Sequence, residues 1–273
     1  MRIGQRLREA YAELREDLAA NNGAPSLDWR TNVVFISGTI LLTLFFYYGR
    51  GAAYRRFGIG GRLHTWLGPE YQEYFELLPY LYWGAASLVL RVIVPALLIL
   101  FVFRHKLAEY GFTFRGTLKS SPIYIGLYLF MLPFLIWAST WGSFQRAYPF
   151  YDNAALGGWH FWLFEFAYAL QFVGVECFFR GFLTFALFRK FGYHALLIVT
   201  IPYVMIHFNK PIAETIGALI AGVVLSYLAL RSKTVVPGII LHVAIAITMD
   251  VLAIAATGEG LSISLLRQLA VGA

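Results

Sequence analysis

The part of this 273-residue sequence equipped for chemistry is a set of ionisable side chains inside long apolar runs. Glu176 and Arg180 stand four apart in GVECFFRG, which puts both on one face of a helix. Tyr203 stands four before His207 in YVMIH, followed at once by Asn209, Lys210, Pro211 and then Glu214. His242 and Asp250, eight apart, again share a helix face. An ionisable group at bilayer depth costs roughly 2.5–3.5 kcal/mol on insertion scales, so each one needs a reason. A glutamate takes a proton from water, and a histidine shares that water or hydrogen-bonds an oxyanion. One carboxylate and two histidines on three neighbouring helices are the ingredients of a hydrolytic site. Glu176, His207 and His242 are its candidate catalytic residues, with Arg180, Tyr203, Asn209 and Asp250 in support.

Each of these residues also has a purely structural reading. Glu176 and Arg180 would serve as an internal ion pair, His207 as an interfacial side chain near a span end, and His242 as a helix–helix hydrogen-bond partner. Asp250 would pair with Arg180 or Lys210, and Arg91 would be packed or snorkelling. Glu176, His207 and His242 are also acceptable ligands for Zn2+, since three protein ligands and a water suit catalytic zinc. The sequence has no HExxH pair, the stronger zinc signal, so metal-free hydrolysis without a cofactor is the expectation. A single cysteine, Cys177, leaves no intramolecular disulfide framework and no CxxC site.

The elements that must hold these side chains follow from composition. The chain is 59% hydrophobic, 18% aromatic and 14% charged, with mean hydropathy +0.64. Soluble domains are about 45–50% apolar and about 25% charged. So few charges cannot cover a water-facing surface, which excludes a soluble enzyme, a disordered chain and a coiled coil. The expected fold is all-α, a polytopic transmembrane helical bundle of about seven spans, within a range of six to eight. The expected spans cover 32–49, 77–103, 122–141, 159–188, 194–208, 212–230 and 236–256, each near the roughly 20 residues that the hydrocarbon demands. An N-terminal amphipathic segment, 1–31, carries Leu7, Tyr11 and Leu14 at helical spacing. Helices and loops occupy 32–158, the polar constellation lies in 159–257, and a tail of 258–273 holds a short amphipathic helix over 261–269.

Lys and Arg cluster at 104–119, 189–190 and 231–233, in alternate loops, which puts the N-terminus in the cytoplasm by the positive-inside rule. Arg50, Arg55, Arg56 and Arg62 break the alternation unless the first loop folds back on the bilayer. The net charge of +7 is accounted for by those loops. With no basic stripe interleaved with aromatics, nucleic acid is not an expected partner.

Glu176-x-x-x-Arg180-Gly181, Tyr203-x-x-x-His207 and His242, taken in order, resemble the CPBP family of membrane proteins, the CAAX prenyl endoproteases and bacteriocin-processing or abortive-infection proteins. The family pattern is Glu-Glu-x-x-x-Arg, Phe/Tyr-x-x-x-His and His-x-x-x-Asn/Asp on consecutive transmembrane helices. The resemblance covers about 159–257. It implies an intramembrane endopeptidase of a bacterial inner membrane, acting on membrane-associated peptides or proteins. It further implies that a glutamate and His207 activate water while His242 and an Asn bind the oxyanion. Two positions depart: Val175 replaces the first glutamate, and Ala246 stands at the Asn/Asp position, with Asp250 one turn further on. For Glu176 to take over the first role, the helix must rotate locally by roughly 100° or contain a π-bulge.

Three functions are therefore open from sequence: a glutamate/histidine intramembrane protease, a non-catalytic protein of the same fold acting in immunity, scaffolding or assembly, and a proton-coupled transporter. Two comparable halves with paired broken helices would favour the transporter, and the chain has no internal repeat.

Overall fold

The computed structural model describes residues 28–208, 210–258 and 262–272, together with Gln5, Glu9, Ala12 and Glu16, which are helical and exposed. The expected apolar face of the N-terminal segment, Leu7, Tyr11 and Leu14, lies outside the described residues, as does Asn209. No strand occurs among the described residues.

Among the described residues, six helices are long and apolar enough to cross a membrane. They are α1 (Trp29–Tyr48), α2 (Leu78–Val102), α3 (Thr117–Ser139), α4 (Gly158–Phe191), α6 (Ile212–Ser232) and α7 (Val236–Thr257), with the shorter α5 (His194–Met205) between α4 and α6. A last helix, α8 (Ile263–Val271), is capped by the Ser262 hydroxyl, which accepts from the Leu265 N–H at 3.1 Å. The six long ones follow from long apolar sequence, because a backbone in hydrocarbon satisfies its own N–H and C=O groups only as a helix or a closed barrel. The chain is an integral membrane protein built as a helical bundle.

The fifth crossing differs from the expected 194–208. α5 stops after twelve residues, about 18 Å, and residues 206–208, 210 and 211 are not helical. Its last turn tightens into shorter-range bonds, His207 N–H to Val204 C=O and Phe208 N–H to Met205 C=O. Pro211, in extended backbone at ψ 141°, ends the turn by disfavouring helix in the residue before it.

α4 is the hub. Its apolar window is 72% buried, against 11–33% for the other long helices. α2 runs beside it in close contact: a Cβ on Gly84 would meet the Ala167 carbonyl oxygen at 2.7 Å, and one on Gly174 would meet Ser87 Oγ at 2.0 Å. Small residues let the two backbones approach where no hydrophobic drive operates between helices in lipid. At the start of α4, Gly157 holds φ +77°, and a Cβ there would come within 1.9 Å of the Gln268 carbonyl oxygen, so α8 docks tightly on this end. Trp162 Nε1 also donates to the Ala270 carbonyl at 3.1 Å.

Two apolar clusters surround α4. One joins Val34 and Leu41 of α1, Ile99 of α2 and Val199 of α5 to Phe178, Phe179 and Phe182. The other gathers Phe161, Phe164 and Tyr168 with Ala246 and Ile254 of α7, which assigns that aromatic stripe to the core. Arg91 of α2 is packed rather than snorkelling, 3% exposed with its guanidinium 3.5 Å over the Phe45 ring. The arginines of the first loop lie in and around two short helices, Gly51–Arg56 and Ile59–Leu67, that fold it into an elbow.

α4 changes register at Glu176. Glu176–Leu183 is a π-helix, and Thr184 Oγ1 donates to the Phe179 carbonyl five residues back at 2.7 Å. α2 is widened the same way at Val89–Ile93 and Leu98–Val102, on either side of Pro95, which has no N–H for the α ladder.

Candidate active site

Glu176, Arg180, Tyr203 and His242 meet inside the bundle. Glu176 occupies the first position of the π-helix, Arg180 one turn on, Tyr203 the last part of α5 and His242 the second turn of α7. Arg180 Nε lies 3.4 Å from Glu176 Oε1, both side chains 1% exposed. His242 Nδ1 lies 3.0 Å from the same oxygen. Neither contact is aligned as a hydrogen bond, and Glu176 Oε1, His242 Nδ1 and Arg180 Nε all lack one. Catalytic contacts often sit off axis in a substrate-free enzyme and tighten when substrate binds. Removing either partner at this depth would leave the other charge buried and uncompensated.

The neighbours fix the cluster. Gly238, one turn before His242, leaves the recess that holds the carboxylate: a Cβ there would lie 2.5 Å from Glu176 Oε2. The Arg180 guanidinium stacks 3.8 Å over the Tyr203 ring, and its Nη2 reaches the Ala221 carbonyl of α6 at 3.5 Å. Phe172, one turn before Glu176, stacks on the His242 imidazole with ring centroids 5.2 Å apart. At the edge of that ring, Nε2 lies 3.4 Å from the Tyr203 hydroxyl.

His207 stands beside this group rather than in it. Its Nδ1 is 2.7 Å from the Tyr203 carbonyl oxygen. A carbonyl only accepts, so Nδ1 carries the hydrogen and Nε2 presents a lone pair. The His207 carbonyl accepts from Thr215 Oγ1 at 2.9 Å, which ties the unwound turn to α6. Among the described residues no hydrogen bond or ion pair joins His207 to Glu176 or His242. Likewise, among the described residues no three His, Cys, Asp or Glu side chains come together as a metal-ligand set.

Asp250 does not join the cluster either. It lies about 12 Å further along α7 by helix rise, fully buried, and pairs with neither Arg180 nor Lys210. Its neighbour is Glu165 of α4, which sequence reasoning missed. Both Asp250 oxygens and Glu165 Oε1 lack a hydrogen-bond partner. Two carboxyls bond one another only through a proton on one of them. The signal was available: Glu165 is an acid inside an apolar run, eleven residues before Glu176 and so on the same face of α4. Lys210 is instead paired with Glu214, whose other oxygen accepts from the Tyr148 hydroxyl at 2.5 Å. Val175 and Ala246 are both buried, Ala246 among apolar side chains, so neither position supplies a polar group.

A bundle of membrane helices that closes a carboxylate, a guanidinium and an imidazole around one interior point defines a polytopic membrane protein with an internal polar site. Residues 157–248, the stretch that contributes all four of these side chains, match the family model described as type II CAAX prenyl endopeptidase Rce1-like, the family that this part of the chain is similar to. No curated protein and no solved structure matches the chain.

Proposed function

We propose that this protein is an intramembrane endopeptidase in which Glu176 and His242 act as a carboxylate–histidine pair on membrane-associated peptides. The observation that carries the reading is the 3.0 Å contact between Glu176 Oε1 and His242 Nδ1, inside the segment that matches a peptidase family. Once bound substrate brings Nδ1–H into line with the carboxylate, His242 Nε2 is left as the acceptor that takes a proton from water. Glu176 orients the ring and offsets the imidazolium charge as it forms, and Arg180 holds the carboxylate in its recess. The Tyr203 hydroxyl, 3.4 Å from Nε2, is placed to donate to the oxyanion once water occupies that position. His207 offers a second neutral acceptor one turn beyond Tyr203. This division of roles gives Glu176 an orienting task that does not need the missing first glutamate, and the π-helix that turns Glu176 towards α7 supports it.

The orientation belongs to the same reading. The Lys/Arg-rich end, with residues 104–119, 189–190 and 231–233, faces the cytoplasm of a bacterium, and the N-terminus lies with it.

The test is cleavage of membrane-anchored peptides by the purified protein in lipid nanodiscs. Wild type is expected to cut, and Glu176→Gln, His242→Ala and His207→Ala are expected to lose about 10²–10⁴ in rate. Cutting undiminished in Glu176→Gln and His242→Ala would sink the mechanism. Absence of cutting by wild type would favour the second reading, a non-catalytic protein of this fold, for which Val175 and the apolar setting of Ala246 speak.

A further inference from the structure

A separate cavity opens at the Lys/Arg-rich end of the bundle, between the elbow that follows α2, the end of α4, the start of α5 and the end of α6. It encloses about 730 Å³, within the usual range for a small-ligand site. Its walls carry four cations, Lys106, Arg189, Arg231 and Lys233, against one carboxylate, Glu109. That carboxylate is already engaged: it pairs with Arg189 at 3.0 Å and accepts from the Lys106 N–H at 3.0 Å. Among the described residues Lys106, Arg231 and Lys233 face no acid within ion-pair distance.

The floor is apolar. Phe185 and Phe188 of α4 and Tyr227 and Leu230 of α6 line it, and Tyr193 packs against both Phe188 and Tyr227 at the rim. Cations at helix C-termini are explained by the helix dipole, and cations in these loops by the positive-inside rule. Neither explains why they ring an open, aromatic-lined hollow. Lys233 adds to the case: it closes α6 at φ +58°, a backbone that glycine would hold without strain, yet a lysine stands there at the cavity wall.

We propose that this cavity holds the headgroup of an anionic glycerophospholipid from the cytoplasmic leaflet. The phosphate would lie among Lys106, Arg231 and Lys233, and the first acyl segment on Phe185, Phe188 and Leu230. The depth fits, because the cavity lies where spans end and headgroups begin, and so does the charge, because basic pockets between membrane helices are the sites that take such heads. The site is independent of the peptidase mechanism, and only the choice of leaflet rests on the orientation proposed above.

The experiment uses the full chain in detergent, exchanged into vesicles of phosphatidylglycerol or of phosphatidylcholine, then returned to detergent for native mass spectrometry. Retention of one phosphatidylglycerol is expected at the wild-type chain and not of phosphatidylcholine. Each cation removed is expected to lower that retention about fivefold, so Arg231→Gln with Lys233→Gln should lower it about 25-fold. Lys106→Gln with Lys233→Gln serves as a second, independent pair should the first misfold. Thermal unfolding in phosphatidylcholine, unchanged in the variants, marks them as folded. Equal retention of the two lipids, retention indifferent to both double variants, or displacement of the lipid by millimolar inorganic phosphate would each overturn the proposal. The last result would mark a free-anion site instead.

Discussion

Gly238 decides how near the Glu176 carboxylate and the His242 ring can come. Replacing it with alanine would put a methyl group 2.5 Å from Glu176 Oε2, so the carboxylate must leave its recess. Gly238→Ala is expected to cut peptide hydrolysis about 10²-fold, the scale of an ångström-sized misplacement at a reacting centre. Unfolding temperature should move little, and full activity in this variant would remove Glu176 from the mechanism. Arg180 has the opposite profile. Its side chain is wholly buried against Glu176 and over Tyr203. Arg180→Met is expected to cost about 3–5 kcal/mol of stability by leaving a buried carboxylate uncompensated. Adding Glu176→Gln to the same chain should restore most of the loss, as read by unfolding in detergent. If the double variant were no more stable than the single one, the pair would not be a unit.

At the scale of elements, α4 and α7 carry two polar levels, Glu176–His242 and Glu165–Asp250. The lower level has buried carboxyl oxygens without partners. Asp250→Asn supplies an N–H donor to Glu165 in a side chain of nearly the same shape, and is expected to stabilise the fold by about 1 kcal/mol. A large loss of stability would mean that Asp250 has a charged partner that must be kept. The elbow after α2 is governed by a different carboxylate. The Lys106 N–H, and after it Arg189, hold the Glu109 carboxyl below its ordinary value of 4.5. A lowered folded-state value gives stability that is full above the ordinary value and lost as pH falls through the lowered one. Hydrogen exchange of residues 104–116 is therefore expected to quicken only below about pH 4.5, and Glu109→Gln should exchange at the faster rate throughout. An elbow whose exchange pattern in Glu109→Gln matched wild type at neutral pH would show that this carboxylate does not hold it.

For the whole molecule, the proposed orientation is checked by thiol labelling, since the one native cysteine, Cys177, is buried. Arg146→Cys, at an exposed position after α3, should label from outside intact cells, and Arg115→Cys, before α3, only after the membrane is opened. The reverse pattern would invert the bundle. Much of this architecture was legible in the residue order. Apolar runs of twenty or so residues leave the backbone no alternative to helix in hydrocarbon, so six of the seven expected spans stand as long helices within a few residues of where the runs begin and end. Spacing also put Glu176 with Arg180, and Tyr203 with His207, because a helix repeats its face every three to four residues. Spacing along one helix says nothing about which face of which neighbour it meets. The three-dimensional packing alone made Glu165 the neighbour of Asp250, set His242 rather than His207 against Glu176, and stopped α5 short of its apolar run. Those outcomes depend on helix rotation, on a π-register gained at residue 176 and on glycines that admit a carboxylate, and all of these are settled by contacts between segments distant in the chain.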